Sequence, residues 1–205
     1  MRQLIENGIV FCRPIEGFRK RAKERKSGGD ILEGVTEIIN YDQKDSVTLT
    51  IFPFPEHQRE IKIKMTNGQF RQNISKVGNI YSLYSINQSS DAEQEIQLDT
   101  RMLEYGTHAV IITDYKEFLI RINKQAKSLG YNIFWGLMDY YNPIDKIVKD
   151  ISIFHKSKDF KYESEFRIFV ENSSGKDLKL AIGNITDIAQ IIESNQLKQM
   201  KVNWR

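Results

Sequence analysis

Short apolar runs that alternate with polar residues set the rhythm of this chain. Ile9–Pro14 closes on a proline and predicts a first strand. Ser46–Phe52 is rich in β-branched residues, and in Glu60–Met65 the residues Ile61, Ile63 and Met65 share one face. With Pro53 and Pro55 between them, these two runs predict an antiparallel pair with one wet face, and Thr66-Asn67-Gly68 predicts the turn that follows. Asn79–Ile86 predicts another strand, with Ile80, Ser82, Tyr84 and Ile86 on one face and Tyr81, Leu83 and Ser85 on the other.

Thr107–Thr113 has the composition of a buried strand. Asp114 then predicts a helix cap, with Glu117 three residues on, and Tyr115, Phe118, Leu119, Ile122 and Ala126 follow at helical spacing to Gly130. Tyr131–Tyr140 reads as a strand of mixed burial, broken by Asn142-Pro143. Phe160–Val170 reads as one long strand, and Leu178–Ile182 as another after the turn Asn172–Gly175. Ile185, Ile188, Ala189 and Ile192 sit at helical spacing, and Lys201–Trp204 predicts a strand that closes the sheet. Asn87–Gln97 is polar and reads as a loop. Val35, Ile38 and Ile39, after Asp30–Gly34, are expected core anchors.

Strands dominate, and most connections are too short for repeated helical crossovers. The expected fold class is therefore α+β, a single domain over residues 1–205 with a largely antiparallel or mixed sheet and a few helices. A core of this kind suits 205 residues of which 40% are hydrophobic. Charge changes the picture at one place. Overall, 30 basic and 27 acidic residues nearly balance, which by itself points to no nucleic-acid partner. Locally, Arg19, Lys20, Arg21, Lys23, Arg25 and Lys26 make a basic run, read as an exposed helical turn or a mobile segment over about 19–29 that offers a possible phosphate contact. Such a run is more often a solvated face.

The single cysteine, Cys12, excludes an internal disulfide and suggests a reducing, cytoplasmic setting. With no apolar leader and no long apolar window, neither a secretory signal nor a membrane span is expected. His57, His108 and His155 are too scattered for a structural zinc site. Gly-rich nucleotide loops are absent from the sequence.

The candidate chemistry lies in Lys161–Val170. On a strand, Glu163, Glu165 and Arg167 project to one face, and Phe166, Ile168 and Val170 to the core. Adjacent carboxylates repel, so they persist if solvated, if paired with cations, or if used for acid/base or electrostatic chemistry. The plainest reading is a solvated strand face.

A strand-borne Glu-x-Glu resembles the third signature of mono-ADP-ribosyltransferases of the arginine–serine–glutamate class. The order of the other signatures matches: Arg13 ends the first strand, Ser82 and Ser85 lie on a central strand, and Glu163-Ser164-Glu165 comes late. The resemblance implies NAD as substrate. It implies that Arg13 holds the NAD phosphates, that Ser82 or Ser85 supports the site, and that Glu165 stabilises the oxocarbenium-like transition state. It implies too that Glu163 orients or deprotonates the acceptor, and it places Arg167 and Tyr162 as further cofactor contacts. The serine strand, Ser82-Leu83-Tyr84-Ser85, departs from the family's Ser-Thr-Ser pattern. The chain also resembles bacterial and phage-associated proteins through Phe18-Arg19, Asp30–Gly34 and Tyr162–Arg167. That likeness implies no particular activity.

Two other classes stay open at this point. One is a non-catalytic binding or inhibitor protein of phage or host-conflict origin, acting through a surface. The other is a nuclease, with Asp30, Glu33 and the glutamate pair holding a metal, or with His155 serving as an acid/base partner. Trp135, Tyr140 and Tyr141 can stack on a nucleotide, though packing is their commoner use.

Overall fold

In the computed structural model, residues 2–24, 29–42, 47–51, 61–65, 67–73, 78–86, 93–95, 98–199 and 201–203 are described. In chain order the elements are α1 (Arg2–Ile5), β1 (Ile9–Pro14), α2 (Ile15–Lys23), β2 (Val35–Tyr41), β3 (Val47–Ile51), β4 (Ile61–Met65), β5 (Gly68–Asn73), β6 (Gly78–Tyr84) and β7 (Glu93–Glu95). They continue with β8 (His108–Ile112), α3 (Tyr115–Ser128), β9 (Ile133–Leu137), β10 (Asp139–Tyr141), β11 (Ile147–Val148), β12 (His155–Ser157), β13 (Glu165–Glu171), β14 (Leu178–Ala181), β15 (Ala189–Glu193) and β16 (Lys201–Asn203). Short 3-10 turns occupy Thr100–Tyr105, Lys158–Glu163 and Ser194–Gln199. The fold class is α+β.

The central sheet runs β14-β1-β6-β13-β9, and every neighbouring pair is antiparallel. Alternation along its strands divides it into two faces. On one face Val10, Cys12, Ile168, Val170, Leu178 and Leu180 pack with Phe118, Leu119, Ile122 and Ala126 of α3. Each fully buried side chain of this size contributes about 1.5–3 kcal/mol. Asp114 Oδ1 accepts the Glu117 N–H at 3.0 Å, so α3 begins where the cap predicts. Burial pushes the Cys12 thiol up to about 12.

The other face carries the chemistry. Antiparallel register sets Arg13 beside Ile80 and Ile80 beside Phe169, then Ser82 beside Arg167, then Tyr84 beside Glu165. A small apolar cluster of Ile15, Ile80 and Phe169 closes the Arg13 end. Gly78 permits this packing, because a Cβ there would stand 2.1 Å from the Phe169 ring.

A second sheet, β11-β2-β5, packs Val35 and Ile38 with Ile151 and so places the Asp30–Gly34 turn against the charged face. Ile39, the third expected anchor, is only half-buried. Gly29 lies close on α2, where a Cβ would stand 2.2 Å from the Ala22 nitrogen. The basic run through Lys23 is helical and belongs to α2, while Arg25 and Lys26 lie outside the described residues. The β3–β4 pair forms as expected, and Thr48, Thr50, Lys62 and Lys64 make its wet face. Pro53, Pro55, Thr66 and Trp204 lie outside the described residues.

Several elements differ from the sequence pattern. Ala189–Glu193 is a strand paired with β8, not a helix, because the edge of β8 supplies partners for its backbone groups. For the same reason β8 is half-buried rather than a core strand. Lys201–Asn203 pairs with β7 inside the expected 87–97 loop, not with the central sheet. Tyr131–Tyr140 divides into β9 and β10 around Met138. The segment 160–170 is not one strand. Its first residues form the 3-10 turn Lys158–Glu163, and only Glu165 onward is extended. Glu163 therefore does not project from the strand that bears Glu165.

Candidate functional site

The break before β13 has local causes. Ser157 caps the 3-10 turn by accepting the Asp159 N–H at 3.3 Å. Ser164 then takes a left-handed backbone, with φ 39°. Two bonds anchor that turn to β6. Ser164 Oγ donates to the Ser85 carbonyl at 2.9 Å, and the Ser85 N–H donates to the Ser164 carbonyl at 2.7 Å. The result folds Glu163 back toward the sheet, so the two carboxylates still meet, but through a turn and a strand rather than one strand face.

They meet on a lysine. Lys156 of β12 donates to Glu163 Oε2 and, at 2.9 Å, to Glu165 Oε2. Parallel pairing of β10 with β12 sets Tyr140 beside Lys156, and the Tyr140 hydroxyl accepts the Glu165 N–H at 3.0 Å. Arg167 binds Glu33 through both terminal nitrogens, at 2.7 and 3.0 Å, and donates from Nε to Glu165 Oε1 at 2.8 Å. Its Nη1 also donates to the Ile153 carbonyl at 2.6 Å. Ser82 Oγ donates to Glu165 Oε1 at 2.6 Å, and the Tyr105 hydroxyl donates to Glu163 Oε1 at 2.7 Å.

This network is largely dry. Arg167 is 1% exposed and Glu165 3%, and Glu33, Lys156 and Glu163 are also buried. Three carboxylates face Lys156 and Arg167, and the Arg19 guanidinium is a third cation at the Glu33 carbonyl. Burial pushes Glu165 up, but Arg167 and Lys156 outweigh it and hold the group at about 2. Burial opposes the Lys156 charge, yet Glu165 and Glu163 raise its pKa overall. Burial, with Glu33 nearby, pushes Asp30 up to about 6. Asp30 Oδ1 accepts the Leu32 N–H at 2.7 Å, and the residue lines an open cleft of about 430 Å³ with Leu32, Ser157, Asp159 and Phe160. Glu165 is thus a permanent anion at neutral pH and cannot give up a proton there. Its oxygens already accept from Ser82, Lys156 and Arg167, so what it offers a substrate is a fixed negative charge.

Arg13 stands on the same sheet face as Glu165, two side-chain rows away, or roughly 14 Å along the strand direction. It is half-buried, with its stem against Gly17, and its side chain forms no hydrogen bond or ion pair among the described residues. Ser82 is exposed and reaches the glutamate, whereas Ser85 contributes its backbone to the Ser164 turn. Tyr162 lies under the Arg101 guanidinium, 3.6 Å from its ring centre, and Arg167 is committed to Glu33 and Glu165. In the basic helix, Lys20 and Lys23 are exposed, while Arg19 Nε donates to the Glu33 carbonyl at 2.5 Å.

Asp30 and Glu33 do approach the glutamate pair, but Lys156 and Arg167 fill the space between the acids. Among the described residues no group of three His, Cys, Asp or Glu side chains could hold a metal ion. His155 Nδ1 meets Ser152 Oγ at 2.7 Å, and His155 neighbours Lys156 along β12, so its ring projects from the other side of that strand. Sequence reasoning missed Lys156 and Tyr105, and it offered Tyr140 as a nucleotide-stacking ring where the structure has its hydroxyl bonded to the Glu165 N–H. Nothing in the spacing of His155–Lys158 marks the lysine as buried. Only the parallel β10–β12 pairing does.

Comparison of the chain with protein-family models, with curated proteins and with solved structures found no match.

Proposed function

We propose that this protein is an ADP-ribosyltransferase-like enzyme that cleaves the nicotinamide–ribose bond of NAD on the charged face of the central sheet. One observation carries the reading. Ser82 bonds Glu165, and Arg13, uncommitted among the described residues, stands on the same face about a nucleotide's span away. In this reading Arg13 pairs with the NAD phosphates. The glycosidic bond breaks, its electron pair leaves with nicotinamide, and positive charge develops on the ribose. The fixed Glu165 carboxylate stabilises that charge. Glu163 orients the acceptor, whose nucleophilic atom bonds to the ribose carbon and releases its proton to water. Substrate reaches the carboxylate past Ser82.

The saturation of Glu163 and Glu165 by Lys156 and Arg167 favours one competing reading. In it the cluster is a structural lock inside a non-catalytic binding protein of phage or host-conflict type. The nuclease reading has no comparable support.

Purified protein incubated with labelled NAD, alone and with lysate proteins or nucleic acids, separates the two. Release of nicotinamide or transfer of label supports the enzyme. Neither product, under any of these conditions, leaves the binding protein.

A further inference from the structure

The central sheet ends at β9, and β9 is unusually bare. Only β13 pairs with it, and among the described residues Ile133–Leu137 form no backbone hydrogen bond outside that ladder. Its outer N–H and C=O groups therefore have no backbone partner among the described residues, an arrangement that templates another strand, and just past its end the Asp139 N–H is held by the Phe154 carbonyl at 2.9 Å. Sheets usually blunt such an edge with charge or proline. The opposite edge strand, β14, carries the exposed Lys179. β9 reads Ile-Phe-Trp-Gly-Leu, with no charge and no proline. Phe134, Trp135 and Leu137 are 47%, 43% and 52% exposed, so both faces of the strand show apolar surface.

We propose that β9 pairs edge to edge with β9 of a second copy of this chain, joining two central sheets into one antiparallel sheet across a two-fold axis at Trp135. Self-complementarity is what points to a second copy. Antiparallel pairing about Trp135 sets Ile133 opposite Leu137, Trp135 opposite Trp135 of the other copy, and Phe134 opposite Gly136. The chain's own Phe154 ring lies over Gly136, 3.7 Å from the position of a Cβ, so the facing Phe134 ring would pack beside Phe154. Without charges, the two-fold juxtaposes no like-charged pair. A strand of five residues buries less than the roughly 800 Å² per partner of a stable interface, so the dimer is reversible. An antiparallel two-fold is perpendicular to the sheet, so both charged faces look the same way.

Sedimentation of the full chain from about 5 μM to about 1 mM tests this, a range that brackets a dissociation constant on the order of 10–100 μM. The apparent mass should rise from one copy toward two. Amides within Ile133–Leu137 should gain protection from hydrogen exchange over the same range. Trp135→Lys and Trp135→Glu each set like charges opposite at the two-fold axis, and each should stay monomeric. An equal mixture of the two variants should dimerise again, which misfolded variants would not do. The proposal is overturned by a wild type that stays monomeric throughout, by a Trp135→Lys variant that dimerises like the wild type, or by a mixture that remains monomeric.

Discussion

Ser82, which is exposed, holds Glu165, which is 3% exposed, through a hydrogen bond of 2.6 Å. The serine is an exposed group in direct contact with the buried carboxylate. Ser82→Ala should act on chemistry and on fold together. It removes a hydrogen bond to an ionised carboxylate, so stability should fall by about 1.5–3 kcal/mol. Its kcat/KM for NAD should fall about tenfold, which a nicotinamide-release assay reads. Glu165→Gln is a blunter probe. It removes the charge between Arg167 and Lys156, so both turnover and melting temperature should drop. Unchanged turnover in Glu165→Gln removes Glu165 from the mechanism, and in Ser82→Ala it removes the serine.

Arg13 separates the two effects. Its side chain makes no ion pair or hydrogen bond among the described residues, so Arg13→Ala should change stability by no more than about 0.5 kcal/mol. Loss of a charge-assisted contact to phosphate should raise the KM for NAD by roughly 10- to 100-fold. Steady-state kinetics with a matched urea melt checks both halves. A stable variant with wild-type KM would remove Arg13 from the phosphate site.

Lys156 is expected to dominate stability. Lys156→Met fills much the same volume but leaves Glu163 and Glu165 facing one another without a cation. Breaking a buried pair in this way costs about 3–5 kcal/mol. Urea unfolding at neutral pH measures it, and a loss under about 1 kcal/mol would show that the cluster is well hydrated in solution.

Asp30 and Glu165 give the fold opposite responses to acid. Asp30, raised from 3.8 to about 6, favours folding in its protonated form. That contribution is complete below pH 4, fades as pH rises toward 6, and is absent above. Glu165, lowered from 4.5 to about 2, contributes above pH 4.5 and loses its effect as pH falls toward 2. Asp30→Asn keeps the acceptor for the Leu32 N–H and cannot ionise. It should stabilise the protein at pH 7–8 by up to about 3 kcal/mol and flatten the profile between pH 4 and 6. Melting temperatures from pH 3 to 8 report this, and a variant with the wild-type slope across pH 4–6 would assign that slope to another group.

The alternating runs were readable because sheet registration needs them. Ile168 and Val170 on one side and Arg167 on the other follow from a period of two. The cap at Asp114 was readable because its hydrogen bond is local. Where the pattern failed, the deciding partner was distant in sequence. Ile185 to Ile192 has helical spacing, but the edge of β8 captures Ala189–Glu193 as a strand. Glu163 leaves the strand because Ser164 turns left-handed against Ser85, 79 residues earlier. The glutamates, Ser82, Arg13 and Arg167 were visible as candidates. The second cation that holds the acids was not, since Lys156 is an ordinary lysine until β12 lies beside β10.

Cys12 gives the molecule an internal clock. Its thiol is the chain's only one, it faces α3 from the centre of β1, and burial keeps it protonated at neutral pH. An alkylating reagent needs a thiolate it can touch, so modification must wait until helix and sheet part. Labelling kinetics at this one sulfur would thus time the opening of the main core directly, in any variant, with no probe added.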